Sequence, residues 1–515
     1  MNPVRAFLLL LPTLIAGDVW PTPKSLSSSS SSSCLNAEIS APVDASDRLN
    51  KIMARYNFTS SGCTDGFDSV NLIISDPSSY ALNQDTDYAY NISADISGTA
   101  SVTITSKTIY GAAYGLETLN QLTDEDFHSV PSSIDVVDSP SYNHRGFMID
   151  TGRRFIPLST IFKNIDAMAM NKLNVLHLHF ADWCRYAIES DSFPSLTSSL
   201  VGDQAGHYTK QDVRDMIEYA NDRGIRVIPE VDLPGHSTWG FPLKTSGDLK
   251  YCTATNPPSL LDDADGKTEA TLKTIISEVI ELFGEEELFH IGADEIATLD
   301  GEGCTIENIA GIETKIFQHI VDSERTPVCW EEGYYKSGGA EGFEGEAVIN
   351  AWNAGPRPND IIADGFDAIE SMSDNFYLNN KPSWSAVWYD ISSTPSSAES
   401  SKSPTFRGGE VSMWTDNYCY ALQCGAFGPD QNVPVGAALY PPSMDDQFTS
   451  SFMGMVWPKA AIAAGAFWNY YELTDDDLKT KIEGVANRLK EAAIDACPND
   501  CDCDELTRCG DSYIN

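Results

Sequence analysis

The chain has 515 residues, 33 Lys and Arg against 75 Asp and Glu, a formal net charge of -42, and hydrophobic and aromatic shares of 42% and 10%. That length and apolar content allow two or three domains around a large core and exclude a mainly disordered protein. The charge repels phosphate backbones and anionic membrane surfaces, so nucleic acid is excluded as an expected partner.

Residues 1–17 open with Met1 and Arg5, continue through an apolar run and leave by Ala16-Gly17, the pattern of a secretory signal peptide. No other stretch carries the roughly 18 uninterrupted apolar residues of a transmembrane segment, and none is expected. Twelve cysteines then fit an oxidising compartment with disulfides, and an extracellular or lysosomal/vacuolar location follows. Asn57-Phe-Thr59 and Asn91-Ile-Ser93 are glycosylation sequons.

Residues 18–33 contain a serine run, eight of nine positions from Ser25 to Ser33, expected to be a linker with nothing to bury. Residues 34–138 read as a small α+β domain: a helical stretch from Ala45 to Tyr56, alternating strands at 70–75 and 99–105, and a small-residue helix from Ile109 to Leu122. Cys34 with Cys63 is a plausible staple.

Residues 139–490 repeat a strand-then-helix rhythm. Eight strands are read at 144–150, 174–180, 225–231, 288–291, 327–330, 347–352, 367–370 and 408–414. Between them Thr209-Lys-Gln-Asp212 is a capping box and Gly224 a helix stop. Eight such units predict an α/β fold, a (β/α)8 TIM barrel preceded by the small α+β domain; an open doubly wound sheet is the alternative, but no strand feeds a Gly-rich phosphate loop. Cys252 and Cys304 flank the fourth strand and are expected to pair. In the tail, 491–515, Cys497, Cys501, Cys503 and Cys509 allow two bridges in three connectivities.

A barrel active site lies where the strands end. There the chain places Asp150 and Arg153; Asp182; Glu230, Asp232 and His236; Asp294 and Glu295; Trp330; Trp352; Tyr377; and Trp414 with Asp416. Tryptophans beside carboxylates and one Arg suit a sugar, whose ring stacks on an indole while its hydroxyls need polar partners. His177 and His179 come nearest to a metal pair, but on one face of a buried strand they read as core histidines, so no metal or cofactor is expected. Glu230 and Glu410 read as barrel-interior structural acids. Asp294 and Glu295, adjacent on an extended backbone, would point to opposite faces.

The stretches Arg145-Gly-Phe-Met-Ile-Asp-Thr-Gly-Arg153, Pro229-Glu-Val-Asp-Leu-Pro-Gly-His236, His290-Ile-Gly-Ala-Asp-Glu295 and Gly408-Gly-Glu-Val-Ser-Met-Trp414, in this order, resemble the motifs of the exo-acting β-N-acetylhexosaminidases of glycoside hydrolase family 20. The resemblance implies removal of terminal β-linked N-acetylglucosamine or N-acetylgalactosamine by a retaining route in which the substrate's 2-acetamido oxygen is the nucleophile. It implies Glu295 as general acid and base, Asp294 as the acetamido-orienting carboxylate and Tyr377 as donor to the acetamido oxygen. Trp330, Trp352 and Trp414 would wall the sugar pocket, Arg153 and Asp416 would hold outer hydroxyls, and Asp182 with His236 would tune Glu295. A glycan is the implied partner, and a homodimer is left open. The chain departs from the pattern at Trp183-Cys184-Arg185, where an acid and a Gln are usual, and at Asp416, usually Glu. A glycan-binding protein that has lost turnover through this altered rim is the alternative.

Overall fold

The computed structural model describes residues 19–42, 46–60, 66–78, 81–124, 128–183, 185–200, 206–252, 258–296, 305–353, 355–389, 391, 404–415 and 445–496. The chain divides into two compact units, Met1–Tyr80 with Asp87–Ser139, and Ala81–Thr86 with Pro140–Asn515. The signal-peptide residues 1–17, Cys63, Cys184, Cys304, Asp416 and the four tail cysteines lie outside the described residues. Cys34 and Cys252 are both disulfide-bonded.

The first unit is a seven-stranded mixed sheet in the order β1-β7-β4-β5-β3-β2-β6. Its strands are β1 Ser25–Ser28, β2 Ser32–Ser40, β3 Gly66–Ile74, β4 Tyr90–Asp95, β5 Ser101–Ser106, β6 Ser129–Pro131 and β7 Ser133–Asp138. The helix Ile109–Gln121 packs on β4 and β5; its N-cap Thr108 accepts the Gly111 N–H at 3.1 Å. The serine run is not a linker. Ser25–Ser28 pairs antiparallel with Val137–Ile134, and Ser32–Cys34 pairs with Pro131–Ser129. Serine has little intrinsic strand preference; the backbone ladder to an existing strand supplies the order instead.

The second unit is a closed parallel barrel in the order β10-β11-β12-β13-β14-β15-β8-β9. The strands are β8 His144–Asp150, β9 Val175–Ala181, β10 Arg226–Leu233, β11 Leu288–Gly292, β12 Thr326–Trp330, β13 Val348–Ala351, β14 Asp367–Glu370 and β15 Phe406–Met413. All eight expected strands are present. The capping box is formed as read, with Thr209 N–H on Asp212 at 2.8 Å and Asp212 N–H on Thr209 Oγ1 at 3.1 Å.

Side chains two residues apart on a strand share a face, so the barrel interior is built in layers. Val175, Ile228, Leu288, Val328, Val348 and Ile369 form one buried apolar floor. Two residues further along the same strands stand His177, Glu230, His290, Trp330 and Asn350, all buried, and beyond them the strand ends open into the site.

Candidate active site

Strand β11 delivers the two adjacent acids, by a route different from the expected extended one. The strand stops at Gly292, and Gly292, Ala293 and Glu295 take φ of 73°, 69° and 46°. A Cβ on Gly292 would lie 1.8 Å from Asp232 Oδ1, so only glycine fits there. The left-handed backbone at Ala293 and Glu295 is the strained conformation that gathers at functional sites. This turn separates the two carboxylates as an extended backbone would: the Asp294 side chain is 9% exposed, whereas that of Glu295 is 51% exposed.

Asp294 is on the inner side. Its pKa is raised to about 6 by burial, with Glu295 and Glu230 adding to the rise and His236 and His179 opposing it. Its Oδ1 is buried and has no hydrogen-bond partner. Nearby lies an aromatic arc: Trp352 stacks on Tyr377 at 5.8 Å and 7°, Tyr377 meets Trp414 at 5.8 Å, and Trp414 meets Trp330 at 5.7 Å. Met148 closes the cluster. The indole N–H groups of the two outer-lying tryptophans of this arc are tied back, Trp330 donating to Glu230 at 2.9 Å and Trp352 to Glu332 at 2.8 Å.

Glu295 is on the outer side, with Oε2 3.3 Å from His236 Nε2, while Asp294 Oδ2 stands 3.8 Å from the same nitrogen. His236 holds the Glu295 carboxyl below its ordinary range. Burial alone would keep His236 neutral, but Asp182, Asp294 and Asp232 outweigh it and push the imidazole well up. Asp182 stands 3.3 Å from His236 Nδ1 and 3.1 Å from Arg153 Nη1, and Arg153 also pairs with Asp150 at 3.2 Å. The arrangement therefore places one nearly dry carboxylate near an aromatic cluster and one half-exposed carboxyl beside the His236 imidazole.

The profile described as "Glycosyl hydrolase family 20, catalytic domain" matches residues 142–470, and one described as "beta-acetyl hexosaminidase like" matches residues 50–122. A relative named Beta-hexosaminidase 1 from Coccidioides posadasii is 30% identical over 417 residues, covering 72% of this chain and 68% of the relative. The chain belongs to glycosyl hydrolase family 20. The human beta-hexosaminidase subunit beta is 28% identical over 453 residues, covering 82% and 75%. A Bacteroides fragilis beta-N-acetylhexosaminidase structure shares the fold with a TM-score of 0.71, 19% identity and coverage of 94% and 98%. A mutant Streptomyces plicatus beta-hexosaminidase, solved in complex with product GlcNAc, gives 0.69, 20%, 94% and 96%.

Within this family 20 hydrolase the structure gathers Asp294, Glu295, Tyr377, Arg153, Asp182, His236, Trp330, Trp352 and Trp414 at one mouth; Asp416 lies outside the described residues. Glu332 was not foreseen here, while Asp232 was placed at this mouth and Trp183 in the altered rim without a role for either. Glu332, on the short helix Glu331–Tyr335, anchors Trp352, and its carboxyl is pushed up to about 7 by burial and by Asp294. Asp232 is buried with both oxygens unpartnered; burial and Asp294 raise it well above the usual carboxylate range. Trp183, in the altered rim, stacks on His236 at 4.7 Å and 11°. The signals for Glu332 and Asp232 were present in the sequence as acids two residues from Trp330 and Glu230. Trp183 carries no local signal, since its partner is 53 residues away in the chain. Some buried sets, such as His177, Glu230 and His290, have ligand atoms within 4.8 Å and could hold a metal ion.

Proposed function

We propose that this hydrolase removes terminal β-linked N-acetylglucosamine or N-acetylgalactosamine from the non-reducing ends of glycans, using the substrate's acetamido group as nucleophile. The observation that carries the reading is the buried, unpartnered Asp294 Oδ1 beside the aromatic arc. A dry pocket walled by indoles fits an N-acetyl methyl group, and the lone carboxylate oxygen at its edge is an acceptor for the acetamido N–H. Asp294 would orient that amide and stabilise the positive charge that develops as the acetamido oxygen closes on the anomeric carbon. Tyr377, whose phenol burial and the neighbouring Asp294 keep fully protonated, would donate to the acetamido oxygen.

Glu295 would protonate the departing glycosidic oxygen and then take the proton of the incoming water. Covering it with a sugar would remove solvent from a half-exposed carboxyl and raise its pKa toward the protonated form needed at the start. Arg153 would bind the outer hydroxyls. A named set of beta-hexosaminidase relatives and a structural neighbour holding GlcNAc support the same substrate class.

A secretory-pathway location, extracellular or in a lysosome or vacuole, is supported by disulfide-bonded Cys34 and Cys252 and by the exposed sequon asparagines Asn57 and Asn91. Among the described residues no helix is long and apolar enough to cross a membrane. The deciding experiment compares an aryl N-acetylglucosaminide with the aryl glucoside that has a hydroxyl in place of the acetamido group. The first should be hydrolysed and the second hardly at all, and a thiazoline imitating the cyclised intermediate should bind far more tightly than the product sugar. Normal hydrolysis of the plain glucoside would overturn the substrate-assisted route.

A further inference from the structure

A row of buried acids and imidazoles runs through the barrel interior to Glu295. Glu410 Oε1 lies 2.9 Å from His177 Nδ1, and His177 Nε2 lies 3.0 Å from Glu230 Oε2. Glu230 Oε2 lies 2.5 Å from His179 Nδ1, and His179 Nε2 lies 2.7 Å from Asp182 Oδ2. Asp182 then meets His236, and His236 meets Glu295, each at 3.3 Å. Every member before Glu295 is at most 2% exposed.

Each of the three histidines on this row has a carboxylate oxygen against both ring nitrogens. His179 hydrogen-bonds a carboxylate through both ring nitrogens, which only the imidazolium can do. His177 and His236 hydrogen-bond a carboxylate through Nδ1 and face a second across Nε2 at 3.0 and 3.3 Å, outside hydrogen-bond geometry. At these two the flanking negative charges favour the imidazolium, against the Arg153 guanidinium 3.3 Å from His236 Nδ1. The carboxylates demand the same. Glu230 meets His177, His179, His290 and the Trp330 indole, and Glu410 meets His144, His177 and Asn350, with no Lys or Arg at either among the described residues. A buried carboxylate without a cation costs several kcal/mol. His290 does not supply that charge, because its Nδ1 accepts the Gly292 N–H at 2.9 Å. His144 has a carboxylate on one nitrogen only.

We propose that Glu410, His177, Glu230 and His179 are positioning residues for the reaction: they form an alternating row of charges that holds His236 cationic and fixed beside Glu295, with Glu230 locking Trp330 of the sugar pocket to the same row. This rests on Glu295 being the proton donor. When Glu295 gives its proton to the glycosidic oxygen it becomes a carboxylate 3.3 Å from an imidazolium already in place, which stabilises the charge that the transfer creates without reorganisation. The groups facing His236 are Asp182 and Arg153 on its Nδ1 side, Asp294 and Glu295 on its Nε2 side, buried Asp232, and the Trp183 indole stacked on the ring. Burial opposes charge on His177 and His179, but the flanking acids prevail, to about 9 for His177 and well above the ordinary value for His179; at His144 burial prevails and the pKa falls.

The test is ring-nitrogen NMR of the full-length enzyme labelled with 15N-histidine, with kinetics of Glu410→Gln and Glu230→Gln. In the wild type at pH 7.5, His177, His179 and His236 should show imidazolium signals, and His144 and His290 neutral ones. Glu410→Gln should neutralise His177 alone. Glu230→Gln leaves His177 and His179 with one carboxylate each, as His144 has, and should neutralise both. Its kcat on an unactivated glycan should fall about 10–100-fold, and much less on an activated aryl substrate, because the row acts on proton donation. If Glu230→Gln does not fold, Trp330→Phe, which spares the charges, should keep the three imidazolium signals and raise KM. Neutral His177 and His179 in the wild type, a stoichiometric divalent ion bound in the row, or equal losses on both substrates would overturn the proposal. Absence of hexosaminidase activity in the wild type, with the imidazolium signals present, would instead overturn the assigned reaction.

Discussion

On β10, Ile228 belongs to the apolar floor while Glu230 and Asp232, each two residues further on, belong to the charged upper layers, and all three are buried. The same strands thus serve two purposes within about 7 Å of rise per step of two residues. At the floor, shape and dryness are what count, and each side chain contributes to stability through area removed from water. At the mouth, buried acids with unpartnered oxygens, such as Asp232 and Asp294, cost stability and leave acceptors ready for a ligand. Function here is placed where folding is least satisfied.

The contrast is broken most strongly at the mouth. Glu295→Gln should leave the melting temperature close to wild type, since the side chain is half exposed, and reduce turnover of an unactivated glycan on the order of 10²–10⁴-fold, with a smaller loss on an activated aryl substrate. Equal losses on both substrates would assign Glu295 another role. Ile228→Ala tests the other layer: it should cost about 2–5 kcal/mol in denaturant unfolding, with kcat per folded molecule unchanged. A fall in kcat without a fall in stability would mean that the layers are not separable.

Asp294→Asn keeps the size and removes the charge, and should cost about 2–4 kcal/mol in transition-state stabilisation, read from kcat/KM and from weakened thiazoline binding. The smallest effect is a shift of pH profile. With Asp294 raised to about 6, the carboxylate is present above that pH and lost below it, so kcat/KM should fall as pH drops through about 6. Because Glu295 is one cause of that rise, Glu295→Gln should move this limb to lower pH, measurable on the activated substrate. The stability sign is opposite. A carboxyl whose folded pKa is raised favours the folded state most below its unfolded value near 3.8, and that contribution is lost as pH rises through about 6.

The eight barrel strands were legible because each is a short apolar run bounded by helical signals, and burial on both faces forces such runs in a parallel sheet. The mouth residues were legible because they follow those runs directly. The serine strands were not: Ser25–Ser28 has no hydrophobic alternation, and its order comes from a partner strand more than 100 residues away. The extended reading of Asp294 and Glu295 failed for a related reason, since nothing local shows that the chain turns left-handed at Ala293 and Glu295 against the closely packed Asp232.

By itself the sequence determined which residues lie inside and which stand two apart on one face, because period and burial are local properties of the chain. It determined the family as well, through ordered motifs that the profile match over residues 142–470 bears out. Only the tertiary structure decided which charges meet. Glu410 and His144 are 266 positions apart, and Glu410 and His177 are 233 apart; closing the barrel between β15 and β8 brings them within hydrogen-bonding distance. Charge states inside a protein depend on such distances and on the loss of water, and neither is written in any one segment of the chain.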